Sequence, residues 1–300
     1  MNLYYKNETE NELNIKDILV NHFDFSTRFI AKLKRDKKLS IDSNPCYIYM
    51  PLKPQQELCI NIDFIEENDN IVPTKMKLDI LYEDDFILII NKPAGIAIHP
   101  SILHYDNTIS NGVKAYYTKN NYHFAIRPVN RLDKDTSGIV IFAKYAFIQD
   151  ILSNQMTNHV FIKKYYAIVE GIFEPPTGTI DLPITRKPNS IIERQVDINS
   201  SKEKERAITK YKTLKSFKLY NQKYSLVEFE LLTGRTHQIR VHSSYLNHPL
   251  SGDTLYGNKT KLINRQALHA YYIKFIHPIT KKQIEIRTDL PNDIANIIKA

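Results

Sequence analysis

The stretch RPVNRLDKDTSGIVIFAK, residues 127–144, sets Arg127, Arg131, Lys134, Asp133 and Asp135 directly ahead of an aliphatic run. Ile139 to Ala143 is short, β-branched and aromatic, which predicts a strand buried on both faces. Asp135-Thr136-Ser137-Gly138 carries turn chemistry, because short oxygen-bearing side chains bond neighbouring backbone N–H groups and glycine tolerates positive φ. Asp135 fits that turn as its first residue. Asp133 caps nothing evident, and Arg131, two residues earlier, projects to the same side. Two readings stand at this point. One is an ornate loop closed by a surface ion pair; the other is a carboxylate held at the lip of a buried strand as a reacting group.

Three hundred residues, 42% hydrophobic and 25% charged, support a real core and about two domains. No run approaches the roughly 18 apolar residues of a membrane helix. The polar start MNLYYKNETENELN is unlike a secretory or transit peptide, and Cys46 and Cys59 are the only cysteines. Both features predict a cytoplasmic chain without a zinc cluster. The charge is uneven. Residues 1–78 hold 11 Lys+Arg against 12 Asp+Glu, and residues 79–300 hold 30 against 21. A basic surplus in the larger part points to a polyanionic partner, with nucleic acid foremost.

EENDNIVPTKMK, residues 66–77, is polar, contains Pro73 and lacks periodicity, so residues 66–78 read as a linker between a unit at 12–65 and a larger domain at 79–300. In the first unit, Ile15, Ile18 and Leu19 predict a short helix, and Ser26 caps a second, TRFIAKLKR. There Phe29, Ile30 and Leu33 face inward, while Arg28, Lys32 and Arg35 recur on the other side. Two helices, the second basic, followed by short strands resemble the alpha-L RNA-binding motif. Lys37-Lys38-Leu39 stands where that motif usually has a glycine. The larger domain reads mostly as strands, at Phe86–Asn91, Tyr165–Val169, Ser225–Leu231 and Ala270–Ile276. Loops rather than regular crossovers separate them, which predicts an α+β fold with a mixed, mainly antiparallel sheet.

A second charged stretch, LLTGRTHQIRVHSSYLNHPL (231–250), follows an alternating strand. Thr236 is expected to cap a helix reaching about Leu246, with Ile239, His242 and Leu246 inward and His237 and Arg240 sharing a face. His237 and His242 are five apart, a poor zinc spacing. Histidines 99, 248 and 277 each precede proline and suit turns. The chain has no phosphate-binding GxxxxGK loop, no GxSxG elbow and no GxGxxG.

NRLDKDTSG (130–138), KKYYAIVEG (163–171) and TGRTHQIRVH (233–242) together resemble the motif set of the RluA/RluD-type pseudouridine synthases. NKPAGIAIHPS (91–101) and HPLSGDTLYG (248–257) match further blocks in the expected order. The resemblance runs from about residue 79 to the end of the chain and implies a pseudouridine synthase core with an RNA cleft. It also implies roles that spacing leaves open. Asp133 matches the catalytic aspartate, Tyr165 the active-site tyrosine, and Arg240 the arginine that pairs with the aspartate. Arg131 matches the arginine that enters the duplex as the target base leaves. Asn130 stands where a histidine is common and flanks the site, with Arg235 and His237 as further RNA contacts.

The implied reaction isomerises uridine by moving the sugar's anomeric bond from a ring nitrogen to a ring carbon. One carboxylate suffices because the uracil is retained and reattacks, unlike glycosidases, which use two. Asp133 then acts as nucleophile at the anomeric carbon or as base at the neighbouring sugar carbon. A uridine in folded RNA must be flipped out, at a few kcal/mol. No cofactor or metal is implied. The expected partner is RNA, large-subunit rRNA by default and tRNA as the alternative, with the protein a monomer.

Overall fold

The computed structural model describes residues 1–64 and 70–299. Chain order opens with β1 (Asn2–Lys6), β2 (Leu13–Asn14), α1 (Ile15–Asn21) and α2 (Thr27–Arg35). Four short strands follow, β3 (Leu39–Ile41), β4 (Asn44–Pro45), β5 (Pro51–Leu52) and β6 (Glu57–Asn61). The helices form where the apolar spacing places them. Asn14 caps α1 at the Lys16 N–H, and Ser26 caps α2 at the Phe29 N–H, 3.3 Å away. Ile15, Ile18, Leu19, Phe29, Ile30 and Leu33 are all buried.

α2 ends in a Schellman arrangement: the Lys37 N–H donates to Lys34 O and the Lys38 N–H to Leu33 O. That geometry needs a left-handed residue, and Lys37 supplies it with φ of 50°. Lysine therefore occupies the conformation of the glycine missing from the sequence pattern. Lys37→Gly should raise stability by about 0.5–1 kcal/mol, since a non-glycine residue is strained there by roughly that much. Urea midpoints for the two proteins measure it; an unchanged or lower midpoint contradicts the assignment.

The larger part begins with β7 (Ile80–Glu83), β8 (Ile87–Lys92), α3 (Ile109–Lys119), β9 (Ser137–Ala143) and α4 (Ala146–Thr157). β10 (Ile162–Glu170), β11 (Thr177–Asp181), the hairpin β12 (Ile184–Arg186) with β13 (Arg194–Val196), β14 (Ile208–Leu219) and β15 (Gln222–Leu231) come next. α5 (Gln238–Tyr245), β16 (Leu268–Ile276), β17 (Gln283–Arg287) and α6 (Asn292–Lys299) complete it. Among the described residues nine strands form one sheet in the order β11-β14-β15-β10-β16-β9-β8-β7, with β17 paired to β16. Every pairing in it is antiparallel except β9 with β16. The fold is α+β with a mixed sheet.

β9 is buried at all seven residues because both faces of the sheet are covered there. Ile139, Ile141 and Ala143 join the core under α4, while Val140 and Phe142 pack with Val113 and Tyr117 of α3. Where β9 meets β16, Gly138 has φ of +117°, and a Cβ there would lie 2.2 Å from Ala270 O. Only glycine lets the strand that follows Asp133 enter the sheet at this point.

The N-terminal elements share the core of the larger part. Phe147 of α4 stacks on Phe29 at 4.7 Å and meets Phe25 edge-on at 5.1 Å. The Ser26 hydroxyl donates to Asp150, and Lys281 pairs with Asp24 at 2.6 Å. Of the expected linker, residues 66–69 lie outside the described residues. Residues 70–78 form no strand or helix but are not loose. Ile71 is buried against α3, and Val72 O accepts from the Asn111 amide. Among the described residues no helix is long and apolar enough to cross a membrane.

Candidate active site

The loop before β9 is pinned from several sides. The Asn130 amide imitates a neighbouring strand, donating to Ile139 O at 3.0 Å and accepting from the Ile141 N–H at 2.9 Å. The turn that follows starts at Asp133, not Asp135, because Asp133 O accepts the Thr136 N–H. Lys92, fully buried, donates to Pro93 O, Ile96 O and Lys134 O, each at 2.8 Å. Burial pulls its amine down to about 7, against the raising charges of Asp135 and Asp133. Three carbonyl acceptors satisfy its three donors and tie NKPAG to the loop. Arg265 holds the other flank by donating to Asp135 O. The backbone does the turning, so the Asp133 side chain projects freely.

That side chain meets α5. Arg240 donates from Nη1 to Asp133 Oδ2 at 2.9 Å, and from Nε and Nη2 to both oxygens of Asp253 at 2.7 and 2.8 Å. Asp253 has no exposed surface and also accepts the Leu255 and Tyr256 N–H groups. Burial alone would lower the Arg240 pKa, but its bonds to Asp253 and the charges of Asp253 and Asp133 raise it above the ordinary value. The guanidinium is thus fixed from behind by one carboxylate and presents its last edge to another.

His237 approaches Asp133 from the same side, with Nε2 3.8 Å from Oδ1. The helix starts later than expected, at Gln238; Thr236 caps nothing. His237 is the cap residue, in the left-handed region at φ of 58°, a strained placement typical of functional sites. Gln238 holds the loop instead, accepting from the Arg235 N–H and the Thr233 hydroxyl. The Tyr256 hydroxyl accepts the Arg194 N–H at 2.8 Å and lies 2.8 Å from His237 Nδ1. A hydroxyl that already accepts donates its own proton onward, which leaves Nδ1 an acceptor and turns Nε2–H toward Asp133. Burial lowers the His237 pKa, keeping the ring neutral at pH 7.

Asp133 lies, 27% exposed, in a cleft of about 820 Å³, ample for a nucleotide. Arg131, Lys163, Arg206 and Arg235 line it against the carboxylates of Asp133 and Glu203. Tyr165, from β10, is buried and also lines it. Burial and the Asp133 charge raise its phenol well above the usual range, so it keeps its proton. Among the described residues no group of three His, Cys, Asp or Glu is placed to hold a metal ion.

Residues 86–245 match the family described as RNA pseudouridylate synthase. The chain belongs to the RluA/RluD-type pseudouridine synthases. It is 38% identical over 261 residues to the uncharacterized RNA pseudouridine synthase YjbO of Bacillus subtilis (strain 168), covering 87% of this chain and 89% of that one. It is 35% identical over 287 residues to ribosomal large subunit pseudouridine synthase D of Neisseria meningitidis serogroup B (strain ATCC BAA-335 / MC58), covering 92% and 75%. In structure it is similar to human RNA pseudouridylate synthase domain containing 1, with a TM-score of 0.58, 25% identity, and coverage of 71% and 83%.

In this synthase the fold gathers Arg131, Asp133, Tyr165, Arg235, His237 and Arg240 around one cleft, from three separated motifs. Asn130 borders the same cleft, and its amide also braces β9. Arg28, Lys32 and Arg35 stand apart on α2. Arg28 is exposed, Lys32 lies 4.0 Å over the Phe64 ring, and Arg35 pairs with the adjacent Asp36 at 2.9 Å. None of the three lines the cleft. Asp253 and Tyr256, both in HPLSGDTLYG, escaped the sequence reading. Their signal was the match of HPLSGDTLYG to a family block, which attached no role to either residue.

Proposed function

We propose that this enzyme converts specific uridines of structured RNA, foremost large-subunit rRNA, to pseudouridine, with Asp133 as the reacting carboxylate. The observation that carries the reading is that Asp133 is held by Arg240 in a cation-lined cleft beside Tyr165. As nucleophile, Asp133 forms a bond to the anomeric carbon while the ring nitrogen leaves with the bond pair. The retained uracil turns, its ring carbon displaces the carboxylate, and that carbon then loses its proton. As base, Asp133 instead removes the proton of the neighbouring sugar carbon as the same bond breaks and returns it as the ring carbon bonds the anomeric carbon. In either route the ring carbon then loses its own proton and the freed ring nitrogen gains one. Asp253 supplies no second reacting group, because it is fully buried and saturated, which suits a one-carboxylate reaction rather than hydrolysis. Tyr165, as a protonated phenol, stacks on the displaced base. Arg131, exposed at the rim, fills the place the base vacates, and Arg235 and His237 contact the RNA beside it.

The rRNA assignment draws on the likeness to ribosomal large subunit pseudouridine synthase D, and with it we read the protein as a cytoplasmic monomer. Residues 12–65 are assigned to an alpha-L-type RNA-binding unit, residues 66–78 to the linker and 79–300 to the catalytic domain. Arg28 and Arg35 of α2 are the exposed members of the first unit's basic face. Tritium release from rRNA transcripts labelled at the uracil ring carbon tests the reading, with pseudouridine maps from cells with and without the protein giving the position. Release from rRNA and one missing site in the depleted cells is expected. No release from any RNA would reject it.

A further inference from the structure

β10 presents Lys163 and Tyr165 to the cleft and turns Lys164 and Tyr166 to the opposite face. The two lysines differ in partners. Lys164 reaches Glu228 at 3.1 Å and Glu230 at 3.9 Å. Lys163 has only the Met156 thioether, a weak acceptor, at 3.9 Å, and among the described residues no carboxylate lies within ion-pair distance of it. A second cation, Arg235, lines the same cleft and acts on it electrostatically. Arg235 is oriented by a bond from its Nε to Arg206 O at 3.1 Å. Gly234, next to Arg235, runs close by: a Cβ there would lie 3.6 Å from Lys163 Nζ, an ordinary contact.

Two adjacent cations without an anion between them are unfavourable in a partly desolvated cleft, and burial and Arg235 together pull the Lys163 amine down to about 8. A singly charged oxyanion relieves both costs at once. A planar fork beside a compact ammonium suits the two non-bridging oxygens of a phosphodiester. We propose that Lys163 and Arg235 form the seat of one RNA backbone phosphodiester, two residues along the strand from Tyr165 and so next to the nucleotide being isomerised. The proposal rests on the reading of this cleft as a uridine isomerisation site.

The probe is a single-stranded uridine heptamer, with its affinity measured against salt and pH for the wild type, Lys163→Gln and Lys163→Arg. The other titratable or charged groups facing this cleft are Tyr165 on β10, His159 after α4, Glu203 and Arg206 ahead of β14, Arg235 and His237 ahead of α5, and His99, Arg131 and Asp133. Tyr165 keeps its proton and His237 stays neutral between pH 7 and 9. Lys92 and the uracil rings titrate alike in all three proteins. The seat needs the charged amine, so wild-type affinity should fall as pH rises past about 8, by roughly tenfold per unit at most. Lys163→Arg should bind as tightly at pH 7 and lose that fall, because its charge persists. Lys163→Gln should bind weakly, show no fall, and lower the salt slope by about 0.7, the value of one phosphate on a single strand.

Equal affinity and slope for Lys163→Gln, with uridine isomerisation intact in the wild type, would overturn the phosphate seat and leave the proposed function standing. A wild type that neither isomerises uridine nor binds the heptamer in a salt-dependent way would overturn both.

Discussion

Asp133→Asn is expected to lower isomerisation at least about 10³-fold, the scale on which reacting acids, bases and nucleophiles matter. RNA affinity should stay within a few-fold and the melting temperature within a few degrees. The amide has the shape of the carboxylate but is neither a nucleophile nor a base. The fold tolerates it because the charge of Arg240 remains matched by Asp253, through bonds of 2.7 and 2.8 Å. The turn is equally indifferent, since it uses Asp133 O rather than the side chain. Tritium release measures turnover, and gel retardation of the same transcript measures binding. Activity within tenfold of wild type would remove Asp133 from the reaction.

Asp253→Ala is expected to act on stability and turnover together. Removing one partner of a buried ion pair costs about 3–5 kcal/mol, because the other charge stays desolvated. Arg240 would keep only Asp133, itself 27% exposed, and the Leu255 and Tyr256 N–H groups would lose their acceptor. A loose Arg240 would no longer orient Asp133, so turnover should fall with the urea midpoint. The double variant Asp253→Leu with Arg240→Met separates the effects. It should recover much of the stability, as apolar replacement of buried pairs often does, while turnover stays low. Full turnover in Asp253→Ala would show that the carboxylate does not work through Arg240.

The same buried pair marks how far the chain could be read without its structure. Ser26, the apolar stripe of α2 and the run Ile139–Ala143 are local signals, because capping, 3.6-residue periodicity and two-sided burial act over a few residues. Three motifs bearing Asp133, Tyr165 and Arg240 were likewise legible, since their residue types and order are distinctive. The register of α5 was not. Thr236 is a good cap by composition, but tertiary bonds from Gln238 to Thr233, Arg235 and Ile208 hold the preceding loop in another shape, and His237 takes the left-handed position.

Asn130 shows the same limit. Its place beside a charged turn is a local signal, whereas the two ladder bonds its amide supplies to β9 are not. The two-unit division of the chain likewise follows local composition, whereas the packing of Phe25 and Phe29 on Phe147, by which the two units share a core cluster, is tertiary. The sequence by itself marked the N-terminal helix pair, the main core strands, the family motif that bears Asp133 and a basic surplus suited to a polyanion. Only the tertiary structure decided that Asp253 and Tyr256 stand behind that carboxylate and that Lys163 lacks an anion, because those contacts join residues far apart in the chain and depend on which side chains burial leaves partnered.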